Sequence, residues 1–168
     1  RELGAAVKKF SAKGGVGMIM DVNTGEILAM VSLPDFDPGQ PGGASDDGKF
    51  NRASLGVFEM GSTFKLFSAA AALDSGRVHF SSTYDGSKPI KYGRFTIQDY
   101  HAKNRVMTVP EIFIYSSNIG TARMAIDSGK DTVKDFYRKL GFFDPPVIDL
   151  PEKGSPLDPK PWRDISTL

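Results

Sequence analysis

A serine and a lysine stand three positions apart in the segment Gly61-Ser62-Thr63-Phe64-Lys65, directly before an apolar, alanine-rich run. In a helix, this spacing places the two side chains one turn apart on the same face. The serine hydroxyl is a potential nucleophile, and the lysine amine is a potential base within hydrogen-bond reach. Lys65 accepts a proton only when neutral, so its site has to lower the pKa of the amine by desolvation or a nearby positive charge. The alternative is that Ser62 only caps a helix and that Lys65 is solvated.

A second polar cluster, Ser116-Ser117-Asn118, lies between two predicted helices. The first helix starts at Thr108, which is followed by a proline in the first turn and an early acidic residue, and it runs toward Tyr115. The second helix begins near Asn118. Two hydroxyls and an amide at such a break can point outward from a rigid base. Ser and Asn side chains also satisfy local backbone groups, so ordinary turn and cap contacts are the alternative.

The composition excludes several kinds of function. A length of 168 residues suits a single domain, and the formal net charge of +1 gives no field that would recruit nucleic acid or an anionic membrane. Cysteine is absent, which excludes disulfide bonds and thiolate metal sites. Asp21, Asp35 and Asp37 lack the ligand spacing of a zinc or calcium site. We therefore expect no metal and no cofactor, and the longest apolar stretches are too short to cross a bilayer.

The hydrophobic pattern predicts alternating helices, strands and turns. An amphipathic helix over 1–13 precedes strands over 16–21 and 26–32, which a hairpin turn at 22–25 joins before a loop over 34–50. A helix from Ser62 ends at Gly76, and short strands follow at 83–86, 90–92 and 95–97. The last helix is expected to have Asp131 as its cap and a buried stripe of Val133, Phe136, Tyr137 and Leu140. Recurring proline predicts irregular chain over 142–162, with Trp162 as a packing anchor.

The two polar clusters together resemble a known family. Ser62-x-x-Lys65 at a helix start, followed about fifty residues later by Ser116-x-Asn118, is similar to the pattern of the penicillin-recognising serine enzymes. The segments 22–30, 34–38, 51–52 and 58–61 continue this likeness in order toward class B penicillin-binding proteins. The resemblance spans roughly Gly15 to Leu168 and is closest to the septal, cell-division members, the peptidoglycan D,D-transpeptidases.

The resemblance implies a role for each matched residue. Ser62 would attack the D-Ala-D-Ala carbonyl of a peptidoglycan stem peptide, and its backbone N–H would provide half of an oxyanion hole. Lys65 would take the serine proton, and Ser116 would pass a proton to the departing D-Ala. Asn118 would hold the amide of the acyl chain. β-Lactams, which imitate the dipeptide, would trap Ser62 as a stable acyl-enzyme. The implied fold is α/β (α+β), a sandwich of helices on an antiparallel sheet.

One family feature is missing from these residues. The third motif, Lys-Thr/Ser-Gly on an edge strand, does not occur, and Lys153-Gly154 lacks its middle residue. Because 165–168 also resemble the opening of another element, we expect 1–168 to be the N-terminal part of one transpeptidase domain that by itself is weakly active or inactive. An incomplete sheet would expose an edge and promote self-association. The resemblance further implies a periplasmic protein, anchored in the bacterial inner membrane outside this chain and working with membrane proteins of the division complex.

Two other functions stay open at this stage. Ser-Thr-Phe-Lys also occurs in class D β-lactamases and β-lactam sensors, although those proteins usually carry valine at the position of Asn118. A non-catalytic division scaffold with remnant motifs is the other alternative. His79 and His101 are expected to be solvated or core residues. Asp99 and Tyr100, next to His101, match no spacing that would assign them a role.

Overall fold

Helices and short antiparallel strands alternate along the chain, and the computed structural model describes residues 1–163. The segment 165–168, where the sequence suggests another element, lies outside the described residues. The described residues form two packed units. The first contains Arg1–Phe58 and Pro145–Pro156, and the second contains Glu59–Asp144 and the described residues from Leu157 onward. Among the helices of residues 1–163, none combines the length and the apolar character needed to cross a membrane.

The first unit contains a hairpin and two helices: α1 (Glu2–Lys9), β1 (Gly15–Met20), β2 (Ile27–Leu33) and α2 (Asp46–Lys49). The short α2 and a 3₁₀ turn at Pro41–Gly43 interrupt the segment 34–50, which the sequence predicts as loop. The predicted hairpin is confirmed, with β1 and β2 pairing antiparallel. At its turn, the Asp21 carboxylate accepts hydrogen bonds from the backbone N–H groups of Asn23 and Thr24 at 2.7 and 3.3 Å.

Helix α1 is shorter than the predicted helix over 1–13. It ends at Lys9 because Ser11 adopts a φ of +49°, which stops the helical backbone. Phe10 therefore leaves the predicted apolar stripe and is 72% exposed. The other members of the stripe are half-buried: Leu3, Ala6 and Val7.

The second unit contains the remaining elements. In chain order they are a 3₁₀ turn (Gly61–Phe64), α3 (Lys65–Asp74), β3 (Thr83–Asp85), β4 (Ile90–Tyr92), β5 (Phe95–Ile97), β6 (Val106–Thr108), α4 (Val109–Ile114), α5 (Asn118–Ser128) and α6 (Lys130–Lys139). Strand β3 pairs with β6 and β4 with β5, each antiparallel. The three predicted strands are confirmed. The sequence did not predict β6, because three residues directly before a helix cap are too few to establish an alternating pattern.

Helix boundaries in this unit follow cap chemistry. Thr108 and Glu111 form a reciprocal capping pair at α4, in which the Glu111 carboxylate accepts from the Thr108 N–H at 2.9 Å. Arg105 donates to the same carboxylate at 2.8 Å and, together with the cap, lowers the pKa of Glu111 to about 2. The prediction that Asp131 caps α6 is wrong, because the cap position is Gly129 with a φ of +88°.

The core of the second unit forms where α3 packs against α5 and α6. Alanine lets these backbones approach closely, and Ala71 and Ala72 are 1% and 0% exposed. Val133 and Tyr137 are buried as predicted, whereas Leu140 is 44% exposed because it lies at the cap where α6 ends. Partly buried aromatic side chains surround this core: Phe67, Phe136, Phe142, Phe143 and Trp162. The packing role of Trp162 and the α/β (α+β) class are confirmed, with α1 packed on β1 and α5 on β3.

The contact between α4 and α5 gives a testable prediction. A Cβ atom added at Gly120 would lie 2.6 Å from Cγ1 and 2.9 Å from Cγ2 of Ile112. Ile112 is a β-branched side chain with few rotamers, so it cannot move away easily. We expect Gly120→Ala to lower the free energy of unfolding by about 1–3 kcal/mol through overpacking, as measured by urea denaturation.

Gly4 provides the matched control for this substitution. Both glycines are the third residue of their helices, but a Cβ atom at Gly4 meets only Leu33 Cδ1, at 4.0 Å. Without a clash, Gly4→Ala should stabilise the protein by up to about 1 kcal/mol through helix propensity. If both substitutions changed stability in the same direction and by the same amount, the close approach at Gly120 would not be the cause.

Candidate active site

Ser62 lies in the 3₁₀ turn that leads into α3. Gly61 adopts a φ of +55°, a conformation that L side chains rarely take, which accounts for glycine directly before the serine. The α-helix starts at Lys65, later than the sequence predicts. Met60 and Phe64 occupy the cap positions of the turn and of the helix, without side-chain cap bonds. Ser62 therefore caps neither segment, and the interpretation of Ser62 as only a helix cap is wrong.

Lys65 is half-buried at the first position of α3. Its Nζ atom donates to the hydroxyl of Ser116 at 3.0 Å and to the backbone carbonyl of Ser116 at 2.5 Å. Burial lowers the pKa of the amine below its ordinary value, and the negative charge of Asp99 opposes this shift without cancelling it. Burial therefore shifts the protonation equilibrium of Lys65 toward the neutral amine, which is the form that accepts a proton.

Ser116 terminates α4 in an unusual backbone conformation. Its N–H donates to the carbonyl of Phe113 at 3.1 Å, and the N–H of Ser117 donates to the carbonyl of Ile112 at 3.0 Å. These two bonds form a Schellman motif, in which the residue at the position of Ser116 is usually glycine because its φ is positive. Ser116 has a φ of +52°. A side chain therefore occurs where the backbone alone would favour glycine, as is common at functional sites.

Three side chains form one line of hydrogen bonds. The Ser116 hydroxyl donates to Ser62 Oγ at 3.2 Å and accepts from Lys65 Nζ at 3.0 Å. The sequence predicts Ser62 and Lys65 to be direct partners. Within the described residues, the hydrogen bonds instead join them through Ser116, across 54 and 51 positions of sequence. These bonds run from the amine to Ser62, and a transfer from Ser62 to the amine requires both to reverse: Ser62 donates to Ser116, and Ser116 donates to a neutral Lys65. Hydroxyl hydrogens rotate, so a hydroxyl that touches both groups can serve in either direction.

Asn118 is the first residue of α5, and its side-chain Nδ2 donates to the backbone carbonyl of Gln98 at 2.8 Å. With Ser62 and Lys65, it lines a cavity of about 670 Å³ within the second unit. The rest of the lining includes residues 96–98 along β5 and an aromatic group of Phe64, Tyr137, Phe142, Phe143 and Trp162. A partly apolar cavity with a hydroxyl, an amine and an amide in its lining is typical of a small-molecule binding site.

Asp99 is a residue of this arrangement to which the sequence analysis assigned no role. It follows β5, and its carboxylate accepts from the Ser117 hydroxyl at 2.7 Å and from the Ile119 N–H at 2.9 Å. Its charge also acts on Lys65. Both hydrogen-bonding partners lie about twenty positions away along the chain, so local spacing carries no signal for this contact.

The histidines are outside this arrangement. His79 and His101 are both exposed, in agreement with their prediction as solvated residues. Among residues 1–163, no group of three or more histidine, cysteine, aspartate or glutamate side chains is arranged to hold a metal ion.

Comparisons with known proteins identify the family of the chain. A family model for the penicillin binding protein transpeptidase domain matches residues 15–168. The probable peptidoglycan D,D-transpeptidase FtsI of Caulobacter vibrioides is 45% identical over 161 residues, which represent 96% of this chain and 27% of that protein. The chain therefore spans less than a third of the length of this relative.

Two solved structures resemble the fold. The TP domain of penicillin-binding protein 3 from Burkholderia pseudomallei has 32% identity and a TM-score of 0.79, over 98% of this chain and 46% of that one. A peptidoglycan glycosyltransferase from Burkholderia ambifaria has 32% identity and a TM-score of 0.82, over 98% of this chain and 49% of that one. Because the family model covers most of its length, the chain belongs to the penicillin-binding protein transpeptidase family.

Proposed function

We propose that this chain carries the nucleophile and proton-transfer groups of a peptidoglycan D,D-transpeptidase. The observation that supports this most is the hydrogen-bonded line of Ser62, Ser116 and Lys65 at the edge of a cavity. Membership of the transpeptidase family, and relatives named as D,D-transpeptidases, support the same reaction. The substrate class is the D-Ala-D-Ala end of a peptidoglycan stem peptide, and β-lactams would react at the same serine.

Acylation moves one proton and exchanges one bond. Ser62 Oγ attacks the carbonyl carbon of the penultimate D-Ala, while its proton passes to Ser116 and the proton of Ser116 passes to neutral Lys65. The tetrahedral oxyanion then collapses, the peptide C–N bond breaks, and Ser116 delivers a proton to the departing D-Ala amine. Lys65 restores the proton of Ser116. An acyl ester on Ser62 remains, and the amine of a second stem peptide resolves it by the reverse proton path.

Two groups position the acyl chain during these steps. The backbone N–H of Ser62 contributes one donor to the oxyanion, an interaction worth several kcal/mol in related hole geometries. Asn118 contacts the amide of the acyl chain. Its Nδ2 already donates one hydrogen to Gln98, which fixes the orientation of the side chain and leaves the other hydrogen for substrate.

The chain lacks the Lys-Thr/Ser-Gly triplet that the family places opposite the serine. Lys153 and Gly154 belong to the first unit, where the Gly154 N–H donates to the Ser54 carbonyl at 2.8 Å, and they do not replace it. Residues 1–168 would then form the N-terminal part of a single transpeptidase domain. By themselves they would acylate slowly or not at all, because the second oxyanion donor and the cation for the substrate carboxylate are missing.

The cellular setting proposed here is septal wall synthesis in the periplasm. The protein would be anchored in the inner membrane by a segment outside these residues and would work with membrane proteins of the division complex. Self-association of the isolated chain is a further expectation, because Met18, Ile19 and Leu28 are exposed on a sheet that has two strands within the described residues.

Covalent labelling with fluorescent penicillin tests the nucleophile. We expect Ser62→Ala to abolish labelling in a longer chain that includes the third motif, because the substitution removes the hydroxyl that forms the acyl ester. Intact-mass measurement should find one adduct that is stable for hours, and peptide mapping by tandem mass spectrometry should place it on Ser62.

Ser75→Ala is the control for this experiment. Ser75 follows the other end of α3, where its hydroxyl donates to the Ala72 carbonyl, and labelling of this variant should equal that of the wild type. Rapid release of hydrolysed penicillin would indicate a β-lactamase. A Ser62→Ala protein that still supported septation would indicate a scaffold.

The pH dependence of acylation tests Lys65. The fraction of neutral amine increases as pH rises through its pKa, so the acylation rate should rise with pH, with a midpoint below the ordinary lysine value of 10.5. Lys65→Arg keeps the positive charge at every accessible pH and should lower the rate by about 10²–10⁴-fold. Stopped-flow acylation between pH 5 and about 10 measures both. A rate independent of pH in the wild type would exclude Lys65 as the base.

A further inference from the structure

The segment after β5 holds three consecutive residues where α5 begins: Ser117, Asn118 and Ile119. The backbone carbonyl of Gln98 accepts from Asn118 Nδ2 at 2.8 Å. The two carboxylate oxygens of Asp99 accept separately, Oδ2 from the Ser117 hydroxyl at 2.7 Å and Oδ1 from the Ile119 N–H at 2.9 Å. Asp99 thus accepts two hydrogen bonds from the start of α5. One of the donors is Ser117, the residue that follows Ser116.

This contact matters because Ser116 has an unfavourable backbone conformation. A non-glycine residue at positive φ persists only where the surroundings determine its position from more than one side. On the N-terminal side, the Schellman bonds of α4 hold Ser116. On the C-terminal side, the Ser117 hydroxyl accepts from the Gly120 N–H at 2.9 Å and donates to Asp99. Ser117 is 2% exposed, so water does not replace these bonds.

Asp99 also sets the charge around the amine. Its carboxylate raises the pKa of Lys65, against the larger lowering by burial. The other titratable side chains that line the cavity, Tyr137 and Asp158, do not contribute to this shift. Within the described residues, the Asp99 carboxylate is therefore the charge that limits the lowering of the Lys65 pKa.

We propose that Asp99 is a positioning residue for acyl transfer, which holds Ser116 in line between Ser62 and Lys65 by anchoring Ser117 and Ile119. It acts through these residues and touches no reacting atom. The inference rests on the proposed function, because it assumes that Ser62 is acylated. Small displacements of a reacting hydroxyl are costly, since an error of 1 Å reduces rates by up to about a hundredfold.

The test compares Asp99→Asn with Asp85→Asn in a longer chain that carries the third motif. Asp85 is a close match, because it accepts from the Ser87 N–H at 2.8 Å and from the Ser87 hydroxyl at 2.5 Å. Each aspartate therefore binds one backbone N–H and one serine hydroxyl. Both substitutions preserve shape and remove one negative charge. The readouts are the limiting acylation rate by penicillin, the dissociation constant of the preceding non-covalent complex, the pH profile and the unfolding temperature.

We expect Asp99→Asn to lower the limiting acylation rate by at least about tenfold with little change in the dissociation constant. The rising part of its pH–rate profile (the acid limb) should move to lower pH, because loss of the carboxylate charge lowers the pKa of Lys65. Asp85→Asn should leave the rate and the pH limb at wild-type values. A purely structural role for Asp99 would change the unfolding temperature and leave the limiting acylation rate and the pH profile at wild-type values, and that result would overturn the proposal.

Asp99→Glu separates position from charge and serves if Asp99→Asn does not fold. It keeps the negative charge but displaces the carboxylate, so the rate should fall while the acid limb moves less than in Asp99→Asn. Wild-type rates and pH limbs in both Asp99 variants would overturn the proposal. Failure of the proposed function looks different, because the wild-type protein itself would then form no adduct on Ser62.

Discussion

The left-handed backbone of Ser116 is the constraint on which the site depends. A positive φ turns the chain sharply between α4 and α5 and places the Ser116 hydroxyl between Ser62 and Lys65. Glycine would take this conformation more readily, but it would leave the nucleophile and the amine without the hydroxyl that connects them. The Schellman bonds on the N-terminal side of Ser116 and the cap of α5 on its C-terminal side hold this unfavourable conformation in place. Stability of the turn and proton transfer thus depend on the same few hydrogen bonds.

Two opposing effects act on the pKa of the Lys65 amine. Burial at the start of α3 lowers its pKa, which favours the neutral base, while the Asp99 carboxylate raises it. The two hydrogen bonds to Ser116 fix the orientation of the amine. A fully buried lysine would be neutral but also costly to fold around, and a fully solvated one would stay protonated. Half-burial beside one carboxylate leaves the pKa of Lys65 below its ordinary value, which is the direction that the proposed role as a base requires.

The sequence allowed the elements to be predicted better than the contacts between them. Cap and turn chemistry acts over three or four residues, so the hairpin at Asp21, the start of α4 and the break before Asn118 were all predictable. The predictions were wrong where a single backbone torsion decided a helix boundary, as at the end of α1 before Ser11 and at the start of α6 after Gly129. The candidate residues were found from their spacing, but the order Ser62, Ser116 and Lys65 was not. That order depends on tertiary contacts across more than fifty positions, as does the missed role of Asp99.

The adjacent residues Ser116 and Ser117 differ in exposure and in hydrogen bonding. Ser116 is exposed, whereas Ser117 is buried with its hydroxyl bonded to Asp99 and to the Gly120 N–H. The residues have the same chemistry, and the positive φ of the first sends their side chains in different directions. The Ser116 hydroxyl can contact Ser62 and Lys65 because the Ser117 hydroxyl is the one that caps the start of α5. A site with both hydroxyls exposed would leave the N–H groups of α5 uncapped, and one with both buried would have no proton relay.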